Sequence, residues 1–194
     1  MWHLTLYPIL LRVMWRFGRV LGAVLAYTSL DRCWAYDRSV NDVVHITDIC
    51  KVLPLINQNI EANGIGPKQR KGASEGFAVA EELEWGKEGY EQVVARLASE
   101  PVDWCLAADC CYIDQEGASP STPHFVRTCA LLCGPTTRCL VCFELRSSEV
   151  QRVFVEEASK AFNKVERLPP HSLPKPCQVE HILLYELSGS KLKT

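Results

Sequence analysis

From residue 43 onward, short runs of β-forming residues alternate with segments whose apolar residues recur at helical spacing. This alternation constrains the fold more than any other feature. The predicted strands are residues 43–47, 77–83, 102–107, 138–143, 164–168 and 179–187, and the predicted helices are residues 51–63, 88–98, 123–132 and 148–161. Strands alternating with helices predict an α/β fold, with a mostly parallel twisted sheet and helices on both faces.

The last two predicted strands are separated only by a proline-rich loop. No crossover helix fits between them, so we expect an antiparallel C-terminal strand at one edge of the sheet. In the helix predicted at residues 51–63, we expect Val52, Leu55, Ile56 and Ile60 to share the apolar face and Gly64 to end it.

The composition predicts one compact domain rather than two. The chain has 194 residues, of which 47% are hydrophobic and 23% charged, and its formal net charge is -2. These values are typical of soluble globular proteins, and they lack the basic excess of nucleic-acid-binding proteins. We therefore expect a cytoplasmic monomer, which can also be nuclear, with no nucleic-acid or membrane partner.

The ten cysteines lie mostly inside apolar runs and predict reduced core residues rather than disulfides. Cys129 and Cys133, followed by Cys139 and Cys142, have a spacing that could place four thiolates around zinc. Alternation along a strand, however, directs Cys139 and Cys142 to opposite faces of a sheet. On this ground we assign no metal site from the sequence.

The first thirty residues lack any acid before Asp31, while Arg12, Arg16 and Arg19 interrupt an apolar stretch. Three arginines disfavour a membrane span. A targeting peptide is an alternative, although serine is scarce and no small-residue cleavage site follows an unbroken apolar core.

Ligands of such sheets bind at the carboxyl ends of the strands, so we examine the polar residues that follow each strand. Asp48 closes the first strand, where a carboxylate can accept hydrogen bonds from the ribose of a nucleoside cofactor; the alternative is a helix N-cap. Glu84 and Trp85 close the second strand. Trp85 can flank an adenine, beside a glycine that allows close approach, or it can be a half-buried core residue.

Asp109 and Tyr112 follow the third strand and are candidate catalytic residues. A group transfer to an amine, such as methyl transfer, would need a neutral amine held in line with the reacting group, so an acceptor that orients the amine and a ring that walls the channel are chemically suitable. The alternative for Asp109 is a purely structural turn.

Five segments are similar, in order and spacing, to the methyltransferase-16 family of seven-β-strand protein-lysine methyltransferases, of the methyltransferase-like 21 type. The similarity covers roughly residues 43–188. The segments are Ile46-Thr47-Asp48, Val52 to Leu55 with Asn59 to Asn63, Leu83-Glu84-Trp85-Gly86, Ala107 to Tyr112 and Phe143 to Arg146.

The resemblance implies a Rossmann-like class I methyltransferase domain at residues 43–188, with an atypical segment before it at 1–42 and a tail at 189–194. It implies S-adenosyl-L-methionine as cofactor, a protein lysine side chain as substrate, and Asp109 with Tyr112 at the substrate end. The implied cofactor-binding residues are Asp48, Glu84, Trp85 and Ala108.

The sequence departs from the family before Asp48. Members of the family that this chain resembles carry an E-x-G-x-G-x-G loop after their first strand. At this loop the backbone, unobstructed by side chains, approaches the cofactor. Here residues 18–27 keep Gly22 but lack the acid, and the bulky Val24 and Tyr27 are expected where open backbone is needed. An alternative exon or reading frame over residues 1–40 is one explanation, and a diverged loop is the other.

Three functions are consistent with this pattern. The first is an S-adenosylmethionine-dependent protein-lysine methyltransferase, impaired in this form by its front end. The second is a non-catalytic protein that keeps the fold as a binding partner. The third, a nicotinamide-dependent oxidoreductase, is disfavoured because the chain contains no G-x-G-x-x-G motif.

Overall fold

The computed structural model describes residues 23–27, 43–69, 76–172, 178 and 180–192. Seven strands form one sheet: β1 (Ala23–Tyr27), β2 (Val43–Asp48), β3 (Phe77–Glu82), β4 (Trp104–Ala108), β5 (Arg138–Glu144), β6 (Phe162–Arg167) and β7 (Ile182–Ser190). Four helices accompany it: α1 (Leu53–Ala62), α2 (Tyr90–Leu97), α3 (Thr122–Leu132) and α4 (Ser148–Ala161).

The strand order across the sheet is β3-β2-β1-β4-β5-β7-β6. β2 pairs in parallel with β3, and β4 pairs in parallel with β5. β1 lies between β2 and β4 and is antiparallel to both. Five strands therefore share one direction, while β1 and β7 run the opposite way.

The predicted mixed α/β architecture is confirmed, including the antiparallel C-terminal strand. β7 is antiparallel to both β5 and β6. Its predicted place at the edge is wrong, because β6 occupies that edge and β7 lies one strand inside it. The physical reason is pairing: β7 buries both of its sides between two neighbours, whereas β6 carries exposed polar residues suited to an edge.

Helices cover both faces of the sheet and enclose two hydrophobic cores. On one face α2, α3 and α4 contribute residues such as Val94, Phe125 and Phe154. On the other face Ile56 and Ile60 of α1 pack with residues of β2, β4, β5 and β7. β4 and β5 are buried on both sides, as central strands of such a sheet are.

Helix α1 ends as its sequence predicts. Gly64 has a φ of 64°, and the amide of Ile65 donates to the carbonyl of Ile60 at 3.1 Å, while the amide of Gly64 donates to Glu61 at 2.9 Å. This pair of bonds is a Schellman C-cap. The prediction for Leu55 is wrong: its side chain is 45% exposed, because the face that meets the sheet is set by Ile56 and Ile60.

The sheet extends beyond the predicted domain bounds of 43 and 188. β1 lies within the segment 1–42, and β7 continues to Ser190. The first thirty residues, for which a targeting peptide is one alternative, fall largely outside the described residues. Among the helices that the structure describes, none is long and apolar enough to span a membrane.

Candidate active site

The carboxyl ends of β2 and β4 lie at the same end of the sheet, with β1 between them. We call this end of the sheet the rim. Val24 of β1 pairs with Thr47 on one side and Ala107 on the other. The next residues, Asp48 and Ala108, therefore lie at the same level with one strand between them. Two strand spacings separate them by about 10 Å.

Asp48 is the buried acid of this rim. Its side chain is 5% exposed, and its Oδ1 accepts a hydrogen bond from the amide of Ile49 at 2.7 Å. Within the described part of the chain, nothing donates to Oδ2. Burial raises the pKa of Asp48 to about 6, and the Ile49 amide opposes this shift. A buried oxygen without a partner is suited to accept a hydroxyl of a bound molecule.

The alternative role of Asp48 as a helix cap is not observed. α1 begins at Leu53, and its N-cap residue is Val52, which makes no side-chain cap. The helix instead has Pro54 in its first turn, where a missing amide costs nothing.

The turn Glu84-Trp85-Gly86 follows β3 and packs against α3. The Trp85 ring lies 5.1 Å from the ring of Phe125, and its Nε1 is buried without a hydrogen-bond partner in the described residues. Glu84 is exposed and pairs with Lys87 at 3.2 Å. The Trp85 ring is thus a half-buried core residue that still offers one donor to a ligand.

The backbone conformation at position 86 and the nearby side chain of His124 both require a glycine there. Its φ is 79°, and a Cβ at this position would lie 2.8 Å from the imidazole of His124. Close approach at Gly86 therefore serves the packing of α3, a role that the sequence alone did not indicate.

Asp109 follows β4 in a left-handed backbone conformation. Its φ of 52° makes it the one non-glycine residue with positive φ in the described chain. Its amide donates to the carbonyl of Cys142 at 2.7 Å, which holds the residue at the rim. Such a conformation costs about 1 kcal/mol or more in a non-glycine residue and is concentrated at functional sites.

The Asp109 carboxylate is held by an arginine that the sequence predictions did not include among the site residues. Arg146 Nη2 donates to Asp109 Oδ2 at 2.7 Å, and Arg146 Nε donates to Glu144 at 3.0 Å. Asp109 Oδ1 is buried and has no partner among the described atoms. The available indication was the segment Phe143 to Arg146, which places two charged residues directly after a buried strand.

Tyr112 lies on the loop between β4 and α3 and is 45% exposed. The loop is fixed by Ser119, whose hydroxyl donates to the Tyr112 carbonyl at 2.7 Å and lies 2.6 Å from the hydroxyl of Thr122. Between the two predicted catalytic residues, Cys110 and Cys111 are buried, and burial raises the pKa of both thiols. They are packing residues rather than nucleophiles.

The direction of β1 corrects the expectation for Val24 and Tyr27. Both lie in the strand, not in a loop after it. Tyr27 pairs with Val44 and Trp104, which lie at the end of the sheet opposite the rim and Asp48. Because β1 is antiparallel to its neighbours, its amino end lies at the rim, and its carboxyl end, at Tyr27, lies at the opposite end of the sheet.

A comparison with protein-family models matches residues 33–161 to a lysine methyltransferase family. This match spans more than half of the chain. The chain belongs to the lysine methyltransferase family. A search of curated proteins gave no match.

The family implies S-adenosylmethionine as the methyl donor of this methyltransferase. The described residues fit the nucleoside part of that cofactor. Asp48 offers a buried acceptor atom and Trp85 a buried donor atom, and both lack partners in the described structure. The methionine part is not matched in the same way, because residues 18–27 lack the acid and the spaced glycines of the E-x-G-x-G-x-G loop.

Proposed function

We propose that this methyltransferase transfers a methyl group from S-adenosylmethionine to the ε-amine of a lysine side chain in a protein. We further propose that the transfer is slow because residues 18–27 lack the acid and the spaced glycines of the cofactor loop. The cofactor supplies an electrophilic methyl group when bound. The observation that carries the proposal is the arrangement at Asp109, where one oxygen is fixed by Arg146 and the other is buried and has no hydrogen-bond partner among the described residues.

Asp48 holds the nucleoside in this proposal. Its Oδ2 accepts from a ribose hydroxyl, while the Ile49 amide fixes Oδ1. The carboxylate must be ionised to accept strongly, and hydroxyl donors would lower its pKa from the raised value of the free protein. Trp85 and the neighbouring Glu84 line the adenine side of the same site.

Asp109 and Arg146 orient the acceptor. Asp109 Oδ1 accepts a hydrogen bond from the neutral amine, which directs the nitrogen lone pair toward the methyl carbon. Bound S-adenosylmethionine would supply the methyl group to this nitrogen, and the methylated amine would then give up its proton to water. Arg146 keeps the carboxylate in one rotamer through the 2.7 Å bond to Oδ2. Tyr112 lies on the loop after β4, and in this proposal its exposed ring contacts the lysine stem.

Retention of the cofactor is the weak step. Residues 18–27 occupy the sequence position of the glycine-rich loop but lack its acid and its spaced glycines. Residues 23–27 of this stretch form β1, which pairs with β2 on one side and β4 on the other, so their backbone is not open to the methionine part of the cofactor. We expect detectable nucleoside affinity and low turnover.

Calorimetric titration with S-adenosylhomocysteine tests the nucleoside site. We expect binding by the chain that is weakened about 10- to 100-fold by Asp48→Ala, as loss of a charge-assisted hydrogen bond predicts. Glu82→Ala is the matched control, because Glu82 pairs with Asp48 in register but is exposed. Equal affinity of the wild type and Asp48→Ala would contradict this assignment.

Transfer of radiolabel from methyl-labelled S-adenosylmethionine to lysine tests the acceptor site. We expect slow transfer that Asp109→Ala abolishes. Fast transfer that survives Asp109→Ala would contradict both the acceptor site and the impaired front end.

A non-catalytic role is the second candidate, and the antiparallel β1 is the observation that favours it. In that case the fold is kept as a binding partner. Complete absence of S-adenosylhomocysteine binding, together with a folded chain, would support this candidate over the enzyme.

A further inference from the structure

Four cysteines meet inside the core, away from the rim. Cys105 of β4 and Cys139 of β5 are register partners on adjacent parallel strands. Cys129 and Cys133 lie one helical turn apart at the end of α3, where the Cys133 amide donates to the Cys129 carbonyl at 3.1 Å. All four side chains are fully buried. We call these residues the thiol cluster.

The sulfur atoms of the thiol cluster are directed at one another. Those of Cys105, Cys133 and Cys139 all lie within 4.8 Å of each other. The fourth thiol, Cys129, lies near enough to Cys105 and Cys139 for these thiols to shift its pKa. Two strand residues and two residues at the end of α3 thus lie around the same space between β4, β5 and α3.

We propose that the thiol cluster is a structural metal site that binds Zn²⁺ through Cys105, Cys133 and Cys139, with Cys129 as the fourth ligand. Zinc prefers four tetrahedral sulfur ligands in closed structural sites, with Zn–S bonds of about 2.3 Å. That bond length places tetrahedral sulfurs about 3.8 Å apart, so sulfurs that already lie within 4.8 Å need only small side-chain shifts.

The proposed site differs from the one that sequence spacing suggested. Cys142 belongs to the core on the other face of the sheet, as strand alternation predicts, whereas Cys139 belongs to the core beneath α3. Cys105 takes the vacant fourth place, although it lies 24 residues before Cys129 in the sequence. Long-range strand pairing supplies this ligand, and no local motif contains it.

The position of the cluster indicates a structural rather than a catalytic role. Cys105 lies three residues before Ala108, which corresponds to about 10 Å along a strand. The metal would link β4, β5 and α3 while leaving the rim open. The proposal is therefore independent of the lysine methyltransferase activity proposed above.

Metal content is the first measurement. The protein is purified without chelators, and zinc is quantified against protein. We expect about one zinc per chain and, for apo-protein titrated with Zn²⁺, release of protons because thiols must ionise to bind. Absence of zinc uptake with all thiols reduced would show that the cluster is ordinary packing. A disulfide within the cluster would equally overturn the proposal.

Two variants test the location. Co²⁺ in a tetrahedral thiolate site gives intense thiolate-to-cobalt charge-transfer absorption. We expect Cys139→Ala to lose this absorption and Cys142→Ala to keep it, because both residues lie buried on β5 but face opposite cores. Loss in both variants, or in neither, would contradict the proposed ligands.

X-ray absorption at the zinc edge keeps the proposal testable if Cys139→Ala does not fold. The wild-type spectrum should show four sulfur neighbours at about 2.3 Å and no nitrogen or oxygen ligands. Mixed sulfur and imidazole coordination would show that zinc binds elsewhere in the chain.

Discussion

Arg146 donates to Oδ2 of Asp109 at 2.7 Å and leaves Oδ1 of the same carboxylate buried without a partner in the described residues. This relationship joins the residues that follow β4 and β5. Asp109 also raises the pKa of the Arg146 guanidinium, so this arginine stays charged at neutral pH. A fixed carboxylate with one free oxygen is preorganised to bind a donor.

We expect Arg146→Ala to lower turnover about 10- to 100-fold, the effect of losing one charge-assisted hydrogen bond in the transition state, while the Kd for S-adenosylhomocysteine stays nearly unchanged. Single-turnover radiolabel transfer and calorimetry measure the two quantities. Arg152→Ala is the control, because Arg152 pairs with the exposed acids Glu149 and Glu156 on α4. An equal loss of cofactor affinity would place Arg146 in the cofactor site instead.

Asp109→Gly and Asp109→Ala should both remove methyl transfer, but they should differ in stability. Glycine adopts a φ of 52° readily, whereas alanine keeps the strain without the ion pair. We expect Asp109→Gly to be more stable than Asp109→Ala by about 1 kcal/mol in chemical denaturation. Tyr112→Phe should lower turnover less than either, because the ring remains. The reverse order of stability would show that the backbone at Asp109 is unstrained.

Gly86→Ala should destabilise the protein by about 2–4 kcal/mol, since it adds left-handed strain to a clash with His124. The control is Gly89→Ala: its φ is 83° and no atom lies within 4 Å of the added Cβ, so only about 1–2 kcal/mol is expected. In a His124→Ala background the cost of Gly86→Ala should fall to the Gly89 value. An unchanged cost in that background would exclude the steric explanation.

Asp48→Asn should change the pH dependence of stability. The pKa of Asp48 in the folded protein, about 6, lies above the ordinary value of 3.8, so the folded state binds more protons between these two pH values. The contribution of Asp48 to stability is therefore greatest below pH 4, falls as pH rises toward 6, and then stays constant. The total loss is at most about 3 kcal/mol.

Asn cannot ionise, so the stability of the Asp48→Asn variant should not fall in this pH range. The stability of the variant minus that of the wild type should therefore be larger at pH 7.5 than at pH 4.5. Denaturant unfolding at the two pH values measures the difference. An identical difference at both values would show that Asp48 titrates normally in the folded protein.

The local elements were predicted well because their causes are local. α4 begins and ends as expected, since Ser147 caps it and its apolar residues recur at helical spacing. The errors arise where packing chooses among similar residues. Leu55 and Ile56 are neighbours of similar hydropathy, and only the sheet beneath α1 determines which one is buried.

By itself the sequence determined the order of strands and helices from residue 43 onward, the antiparallel closing pair, the family, and the residues Asp48 and Asp109 at strand ends, but it did not predict the strand β1. These features follow from backbone periodicity and from short motifs that are read within one segment. The tertiary structure decided the direction of β1, the bond from Arg146 to Asp109, and the entry of Cys105 into the thiol cluster. Each of these joins residues far apart in the chain, and strand pairing and side-chain packing bring such residues together without leaving a local pattern in the sequence.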